Sequence, residues 1–136
     1  MALVNAHDTA YRRTDYRVRL PRGGHASIRV DAPLPPELSA VIGEACWAII
    51  TGWNPGSVRQ SPEVNRAAQR RLLGLLKAAS PSVLWPSVGV GNQLWREASL
   101  FVVGIDAWRI LAIAEACGQH AIVCGKGKAR PALAWL

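Results

Sequence analysis

The sequence predicts an α+β fold, a single domain in which a mostly antiparallel or mixed β-sheet carries two main packed helices. Three kinds of segment predict it: polar–apolar alternation at residues 15–20, continuous apolar runs of strand length at 46–51 and 97–104, and helical periodicity at 61–80 and 106–118. With 50% hydrophobic and 18% charged residues, the composition is that of a packed globule and not of a disordered chain.

The length of the chain favours one core. Residues 1–136 are predicted to form a single domain, because chains divide into several cores only beyond roughly 250 residues, with residues 1–10 flexible. The longest apolar stretches, 45–51 and 99–105, fall short of the roughly 20 residues of a membrane-spanning helix, so no membrane association is expected. The N-terminus does not resemble a secretory signal, and a cytoplasmic location is expected.

The first half of the chain predicts a hairpin, a short helix and a central strand. Alternating segments flank the turn residues 21–24, and proline at 35 or 36 can open a helix over 37–43. The run 46–51 reads as a strand covered on both faces. The predicted core face of the hairpin is Tyr16, Val18, Leu20, Ile28 and Val30.

The long helix of the middle segment has clear boundaries. Ser61 is a good N-cap, Pro62 suits the first helical position, Glu63 suits the first turn, and the helix should run to about Ser80. Residues 82–90 then read as a strand, which Pro86 assigns to a sheet edge because proline cannot donate a backbone hydrogen bond.

The last third predicts a buried strand, a helix and a further strand. After the strand at 97–104, Asp106 can cap a helix that ends near Gly118, followed by a strand at 119–124 and a flexible basic loop at 125–130. The apolar positions assigned to that helix are Trp108, Leu111, Ala112, Ile113 and Ala116.

The basic charge is compatible with several functions. Sixteen Lys and Arg against nine Asp and Glu give +7. Arginine suits planar recognition of phosphate or carboxylate, although arginine enrichment also follows from a GC-rich genome. The three cysteines lack C-x-x-C spacing and are predicted to be buried free thiols. The histidines (His7, His25 and His120) form no ligand pair, so we expect no metal and no cofactor.

Five motifs in order resemble a known family. They are Tyr11-x-x-Thr-x-Tyr16, Thr51-Gly-Trp-Asn-Pro-Gly-Ser57, Asn65, Trp95-x-Glu97-x-Ser99 and Gly118-Gln119-x-Ala121. Together they resemble the bacterial domain of unknown function family 3293 over nearly the whole chain. This chain departs from it at Gly52, where the family usually has Ala, and at His120, where it usually has Asn. The resemblance implies no activity, substrate or cofactor.

The loop after the central strand is the best candidate site. Thr51, Asn54, Ser57 and Arg59 precede a helix start, where free N–H groups and the helix dipole favour an anion. The alternative is that Asn-Pro-Gly-Ser only makes a turn. Asn65, one helical turn further on and off the apolar stripe, can face back to the loop and favours a functional interpretation.

Two further polar residues and two tryptophans could join that loop. Glu97 could act as a general base or orient a ligand amine, or could only pair with a nearby arginine or a backbone N–H. Gln119 could contact a ligand or satisfy the end of the preceding helix. Trp53 and Trp95 could stack on a ring or serve in packing, whereas Trp47 and Trp108 fit core positions.

These residues lead to one hypothesis and two alternatives. The hypothesis is a site for a small anionic ligand, phosphorylated or nucleotide-like, with Glu97 as the candidate catalytic residue; the sequence does not determine whether a reaction follows. The alternatives are a nucleic-acid-binding module that uses the arginines of the N-terminal hairpin, and a partner-binding protein without a ligand. The predicted ligand-binding residues are Thr51, Trp53, Asn54, Ser57, Arg59, Asn65, Glu97 and Gln119.

Overall fold

A computed structural model describes residues 2–91 and 95–136, with side chains from residue 8 onwards. A short 3₁₀ turn, Pro55–Ser57, lies in the loop after the third strand. The elements in chain order are α1 (Ala2–Arg13), β1 (Asp15–Arg19), β2 (His25–Ile28), α2 (Pro36–Ile42), β3 (Cys46–Ile50), α3 (Pro62–Ala78), β4 (Val83–Val90), β5 (Arg96–Val103), α4 (Ala107–Ala116), β6 (Ala121–Lys126) and β7 (Ala132–Trp135).

The seven strands form one curled, half-barrel sheet in the order β2-β1-β4-β5-β3-β6-β7. Every neighbouring pair is antiparallel. The α+β fold is therefore confirmed. The expectation of two main helices is too simple, because the described part of the chain contains four α-helices.

The core lies on both faces of the sheet, and β3 contributes to both. Trp47 and Ile49 point to one face, where Leu38 and Ile42 of α2 pack. Ala48 and Ile50 point to the other face. This alternation follows from the two-residue period of a strand and confirms the prediction of a strand buried on both faces. The second face, covered by α3 and α4, includes Ala48, Ile50, Leu72, Leu76, Leu100, Val102, Ile110 and Ala114.

Strand β4 is interior, so its prediction as an edge strand is wrong. It lies between β1 and β5, with Pro86 opposite Leu100 of β5. The pairing of β4 with β1 begins at Ser87, opposite Val18, and runs away from the proline. Pro86 therefore lies just outside the paired stretch of β4 and β1, where a missing backbone N–H is tolerated.

Trp108 is not a core residue, contrary to the sequence prediction. Its side chain is 71% exposed, whereas Ile110 and Ala114 are the buried residues of α4. A helix advances about 100° per residue, so Trp108 stands about 200° from Ile110 and faces away from the sheet. The apolar positions on nearly every side of α4 made the buried face ambiguous in the sequence.

Both ends of the chain contain elements that the sequence analysis did not assign. Helix α1 occupies Ala2–Arg13, where residues 1–10 were expected to be flexible and no element was predicted. Strand β7 pairs with β6 beyond the basic loop, with Ala121 opposite Trp135. None of the helices in the described ranges has the length and apolar character needed to cross a membrane.

Candidate functional site

Asn65 of α3 holds the loop after β3 in place. Its Oδ1 accepts a hydrogen bond from the Asn54 backbone N–H at 2.8 Å, and its Nδ2 donates to Asn54 Oδ1 at 2.8 Å. Asn54 has left-handed backbone angles (φ 45°, ψ 63°), which asparagine tolerates better than most residues. Asn65 is almost fully buried. It faces the loop, as predicted, but as a structural support beneath it.

The backbone N–H groups of this loop donate within the protein. The Gly52 N–H donates to Gln69 Oε1 at 2.8 Å, and the Trp53 N–H donates to Thr51 Oγ1 at 3.0 Å. The Gly56 N–H donates to the Gly118 carbonyl at 2.6 Å. The Gln60 N–H donates to Asn54 Oδ1 at 3.0 Å. These amides are therefore engaged, and the loop is not a cradle of free donors for an anion.

Gly52 brings the loop against α3. A Cβ atom at this position would lie 2.8 Å from the Ala68 backbone oxygen, closer than such contacts occur. An alanine at this position would require α3 to move. The glycine thus has a local structural reason in this chain.

The main cavity lies beside this loop and has a volume of about 510 Å³. Its walls come from α1, the loop after β3, Gly91 and Trp95 with the start of β5, and the segment after α4. That volume falls within the range of small-molecule sites, roughly 300–1,000 Å³. The described lining residues are Thr9, Ala10, Tyr11, Arg13, Thr14, Trp53, Asn54, Ser57, Gly91, Trp95, Glu97 and Gln119.

A smaller cavity of about 40 Å³ adjoins the main one, with Tyr11, Trp95 and Glu97 lining both. Thr51 lines the small cavity, where its hydroxyl donates to the Ala98 carbonyl at 2.6 Å. This hydrogen bond ties the loop to β5. This volume is on the scale of one or two water molecules. Because the two cavities share lining residues, the small cavity extends the main one towards the sheet.

Glu97 has the most perturbed carboxyl group of the site. Burial raises its pKa to about 7. Burial also raises the pKa of the Tyr11 hydroxyl, and the nearby Glu97 charge raises it further. Among the residues that the structure describes, no hydrogen bond or ion pair to the Glu97 carboxyl group is found. Such a group can act as a proton donor or acceptor near neutral pH.

Gln119 satisfies the end of α4, one of the two roles that the sequence left open, and its ligand contact stays a prediction. It is buried, and its Nε2 donates to the Trp53 carbonyl at 3.3 Å and to the Cys117 carbonyl, at the end of α4, at 3.4 Å. It also lines the main cavity. Strand β6, which follows Gln119, is separated from β5 by β3, yet Glu97 and Gln119 line the same cavity.

Ser57 and His120 add a second polar pair at this end of the sheet. Ser57 Oγ lies 3.1 Å from His120 Nδ1, and Ser57 has a positive φ of 59°. Both side chains are exposed, and the serine lines the main cavity. The pair fixes the loop to the start of β6.

The structure brings most of the predicted site residues together. Trp53, Asn54, Ser57, Glu97 and Gln119 line the main cavity, and Thr51 lines the small one. Arg59 is exposed and lines neither cavity, and Asn65 lies beneath the loop. The first turn of α3 contributes no lining residue to either of these two cavities.

Helix α1 contributes to the site, which was not predicted from the sequence. Its residues Tyr11 and Arg13 line the main cavity together with Thr14, which follows the helix, and the Tyr16 hydroxyl donates to the Tyr11 carbonyl at 3.4 Å. Burial raises the pKa of Tyr16 as well. The sequence offered a motif around Tyr11, but no helix was predicted there.

Metal ligation is not indicated by the described side chains. Among residues 8–91 and 95–136, no three His, Cys, Asp or Glu side chains come together as a metal site requires. Cys46, Cys117 and Cys124 are half-buried free thiols. The side chains that line the cavities offer hydrogen bonding and aromatic contact, and Glu97 is a titratable group among them.

The fold and the cavity define a small α+β protein with one antiparallel sheet and a partly aromatic pocket at the end of β3. The chain belongs to the family described as "Protein of unknown function (DUF3293)", whose model matches residues 50–122, more than half of the chain. The matched region includes the loop after β3, Glu97 and Gln119. Searches of the curated proteins and of the solved structures gave no match.

Proposed function

We propose that this protein binds a small nucleotide-like ligand, a planar ring with an anionic group, in the main cavity. The observation that carries the proposal is the convergence of aromatic, polar and cationic side chains from four separate segments on one cavity of about 510 Å³. Pockets of this size with a few polar groups and a perturbed carboxyl group are typical of binding sites.

The lining residues suggest how such a ligand would be held. Trp53 and Trp95 supply aromatic faces for a ring, and Trp95 is 45% exposed. Arg13 is exposed at the end of α1 and supplies the positive charge for a phosphate or carboxylate. This assignment replaces Arg59 and the loop amides, which the sequence had favoured for the anion.

The test is ligand-induced thermal stabilisation across a panel of bases, nucleosides and nucleotides. A ligand at 100 times its Kd should stabilise the native state by about 2.7 kcal/mol. Trp95→Ala should reduce the shift for every ring-containing ligand, and Arg13→Gln should reduce it only for ligands with a phosphate. Arg109→Gln, an exposed arginine of α4 that lines neither cavity, is the matched control. Absence of any shift across the panel would contradict the proposal.

The nucleic-acid alternative gains less support from the hairpin. Arg17 pairs with Asp15 at 2.9 Å, and Arg29 lies 3.6 Å from the same carboxylate. The negative charge of Asp15 offsets part of the positive charge that would bind phosphate groups. A salt-dependent shift with DNA or RNA that is lost on replacing Arg17, Arg19 and Arg29 would favour this alternative. Negative results in both screens would favour a partner-binding protein without a ligand.

A further inference from the structure

Glu97 stands at the junction of the main cavity and the small cavity. The titratable and charged groups around it are the hydroxyls of Tyr11 and Tyr16, together with Arg13 on the wall of the main cavity. No ion pair joins Glu97 to Arg13 or to another cation among the described residues, and burial is what raises its pKa. Within the described residues, the carboxyl group thus lies at the cavities without an ion-pair partner.

A carboxylate in such a place needs hydrogen-bond donors. When ionised it only accepts, with two oxygens side by side, and burying the charge without donors is unfavourable. Water can supply donors in the empty cavity. A ligand that displaces that water must supply equivalent donors or lose affinity.

From this geometry we infer that Glu97 determines ligand specificity by binding the N–H edge of a guanine-type base. This inference rests on the proposed function and names its ligand class. Guanine carries a ring N–H next to an amino group, so two parallel N–H···O bonds can form with one carboxylate, which is the strong bidentate arrangement. Adenine presents an amino group next to a ring-nitrogen acceptor, whose lone pair would face the second carboxylate oxygen.

The aromatic surroundings suit the same class of ligand. Tyr11 and Trp95 line both cavities together with Glu97, and Trp53 lines the main one. A flat base whose edge reaches Glu97 would therefore meet aromatic surface as it enters. The phosphate of a nucleotide would then extend into the main cavity, where Arg13 lies.

The ionisation of Glu97 links binding to pH. Its pKa of about 7 in the empty protein means that the acid is mostly protonated at pH 6 and mostly ionised at pH 8. Two N–H donors bind the ionised form, so affinity should rise as pH increases through 7. The rise between pH 6 and pH 8 should be about tenfold, the change in the ionised fraction. The pKa values of Tyr11 and Tyr16 are raised above 10, so both hydroxyls stay neutral over this interval.

The experiment is calorimetric titration of the full chain with guanosine, inosine and adenosine 5′-monophosphates at pH 8. We expect the guanosine nucleotide to bind roughly 10- to 100-fold more tightly than the adenosine nucleotide, the usual effect of a hydrogen bond to a charged group. The inosine nucleotide, which keeps the ring N–H but lacks the amino group, should be intermediate. Glu97→Gln should remove the preference and the pH dependence.

Two controls separate Glu97 from other effects. Guanosine lacks the phosphate, which itself titrates near pH 6, so its pH dependence reports on Glu97. Glu115→Gln changes the charge on an exposed residue of α4 outside both cavities and should leave affinities unchanged. Circular dichroism and the thermal midpoint establish that Glu97→Gln is folded.

The outcomes distinguish this inference from the proposed function. Equal binding of guanosine and adenosine nucleotides that Glu97→Gln does not change would overturn the specificity inference and leave the proposed function standing. A guanosine affinity that is the same at pH 6 and pH 8 would also overturn the specificity inference and leave the proposed function standing. If none of the nucleotides and nucleosides binds, the proposed function fails and the inference fails with it.

Discussion

Asn65 and Asn54 are joined by two hydrogen bonds of 2.8 Å, one from the Asn54 backbone N–H and one to its side-chain oxygen. Asn54 Oδ1 also accepts from the Gln60 N–H, so the pair spans the whole loop. Because Asn65 is buried on α3, the position of the loop depends on the position of that helix. Helix α3 thereby fixes the position of the cavity wall that Trp53, Asn54 and Ser57 form.

Asn65→Ala should destabilise the protein by about 2–3 kcal/mol, because it leaves the Asn54 N–H without its partner inside the fold. Urea unfolding measures the loss. Val64→Ala is the matched control, since Val64 is the preceding residue of α3 and is half-exposed; it should change stability by less than about 0.5 kcal/mol. Equal effects of the two substitutions would show that the side-chain pair does not hold the loop.

Gly118 is a second point where the loop is fixed. It has a φ of 72°, its carbonyl accepts from the Gly56 N–H at 2.6 Å, and a Cβ atom there would lie 3.0 Å from Pro55 Cβ. Gly118→Ala should therefore cost about 1–3 kcal/mol in unfolding free energy. Gly74→Ala, at an exposed site in α3 with open space around it, should stabilise by about 0.5–1 kcal/mol. Thermal and urea unfolding of both variants would reveal opposite signs if this account is right.

Truncation of Trp47 should destabilise the protein far more than truncation of Trp108. Trp47 is 2% exposed and packs against Phe101, with ring centroids 6.1 Å apart, so Trp47→Ala should cost about 3–5 kcal/mol. Trp108→Ala should change stability by less than about 0.5 kcal/mol and should remove fluorescence that acrylamide quenches readily. A large loss of stability in Trp108→Ala would restore the core role that the sequence suggested.

The parts of the fold that the sequence predicted well are those encoded locally. Ser61 does cap α3, because its hydroxyl accepts from the Val64 N–H at 3.2 Å. The apolar run of β3 is buried on both faces, and Tyr16 and Val18 face the core as the alternation of β1 indicated. In each case the signal and the structure lie within a few residues of one another.

The parts that the sequence did not predict depend on contacts between distant segments. The position of β4 inside the sheet follows from its pairing with β1, which no local pattern contains. Arg59 was chosen because it neighbours the loop in the sequence, yet the arginine at the cavity is Arg13, which α1 brings there. Glu97 was found from its chemistry, whereas its isolation from cations required the three-dimensional arrangement.

The buried carboxyl group of Glu97 should also make the stability of the empty protein depend on pH. Burial raises the folded-state pKa from 4.5 to about 7, so the folded state binds the proton more tightly than the unfolded chain. The sign follows from linkage: the protonated acid costs nothing below about pH 4.5, and stability falls as pH rises from 4.5 through 7. Since Glu97 is half-buried, we expect a total loss on the order of 2 kcal/mol after allowing for solvent screening.

Glu97→Gln should remove this loss, because the amide has nearly the same shape and does not ionise. The variant should be more stable than the natural protein at pH 8, and the difference should vanish near pH 4.5, measured as urea unfolding free energies across that interval. Glu115→Gln controls for the change in net charge, because its side chain is exposed on α4. A stability difference between Glu97→Gln and the natural protein that is constant with pH would mean that the carboxyl group is hydrated like a surface acid, and it would remove the physical basis for assigning a ligand donor to it.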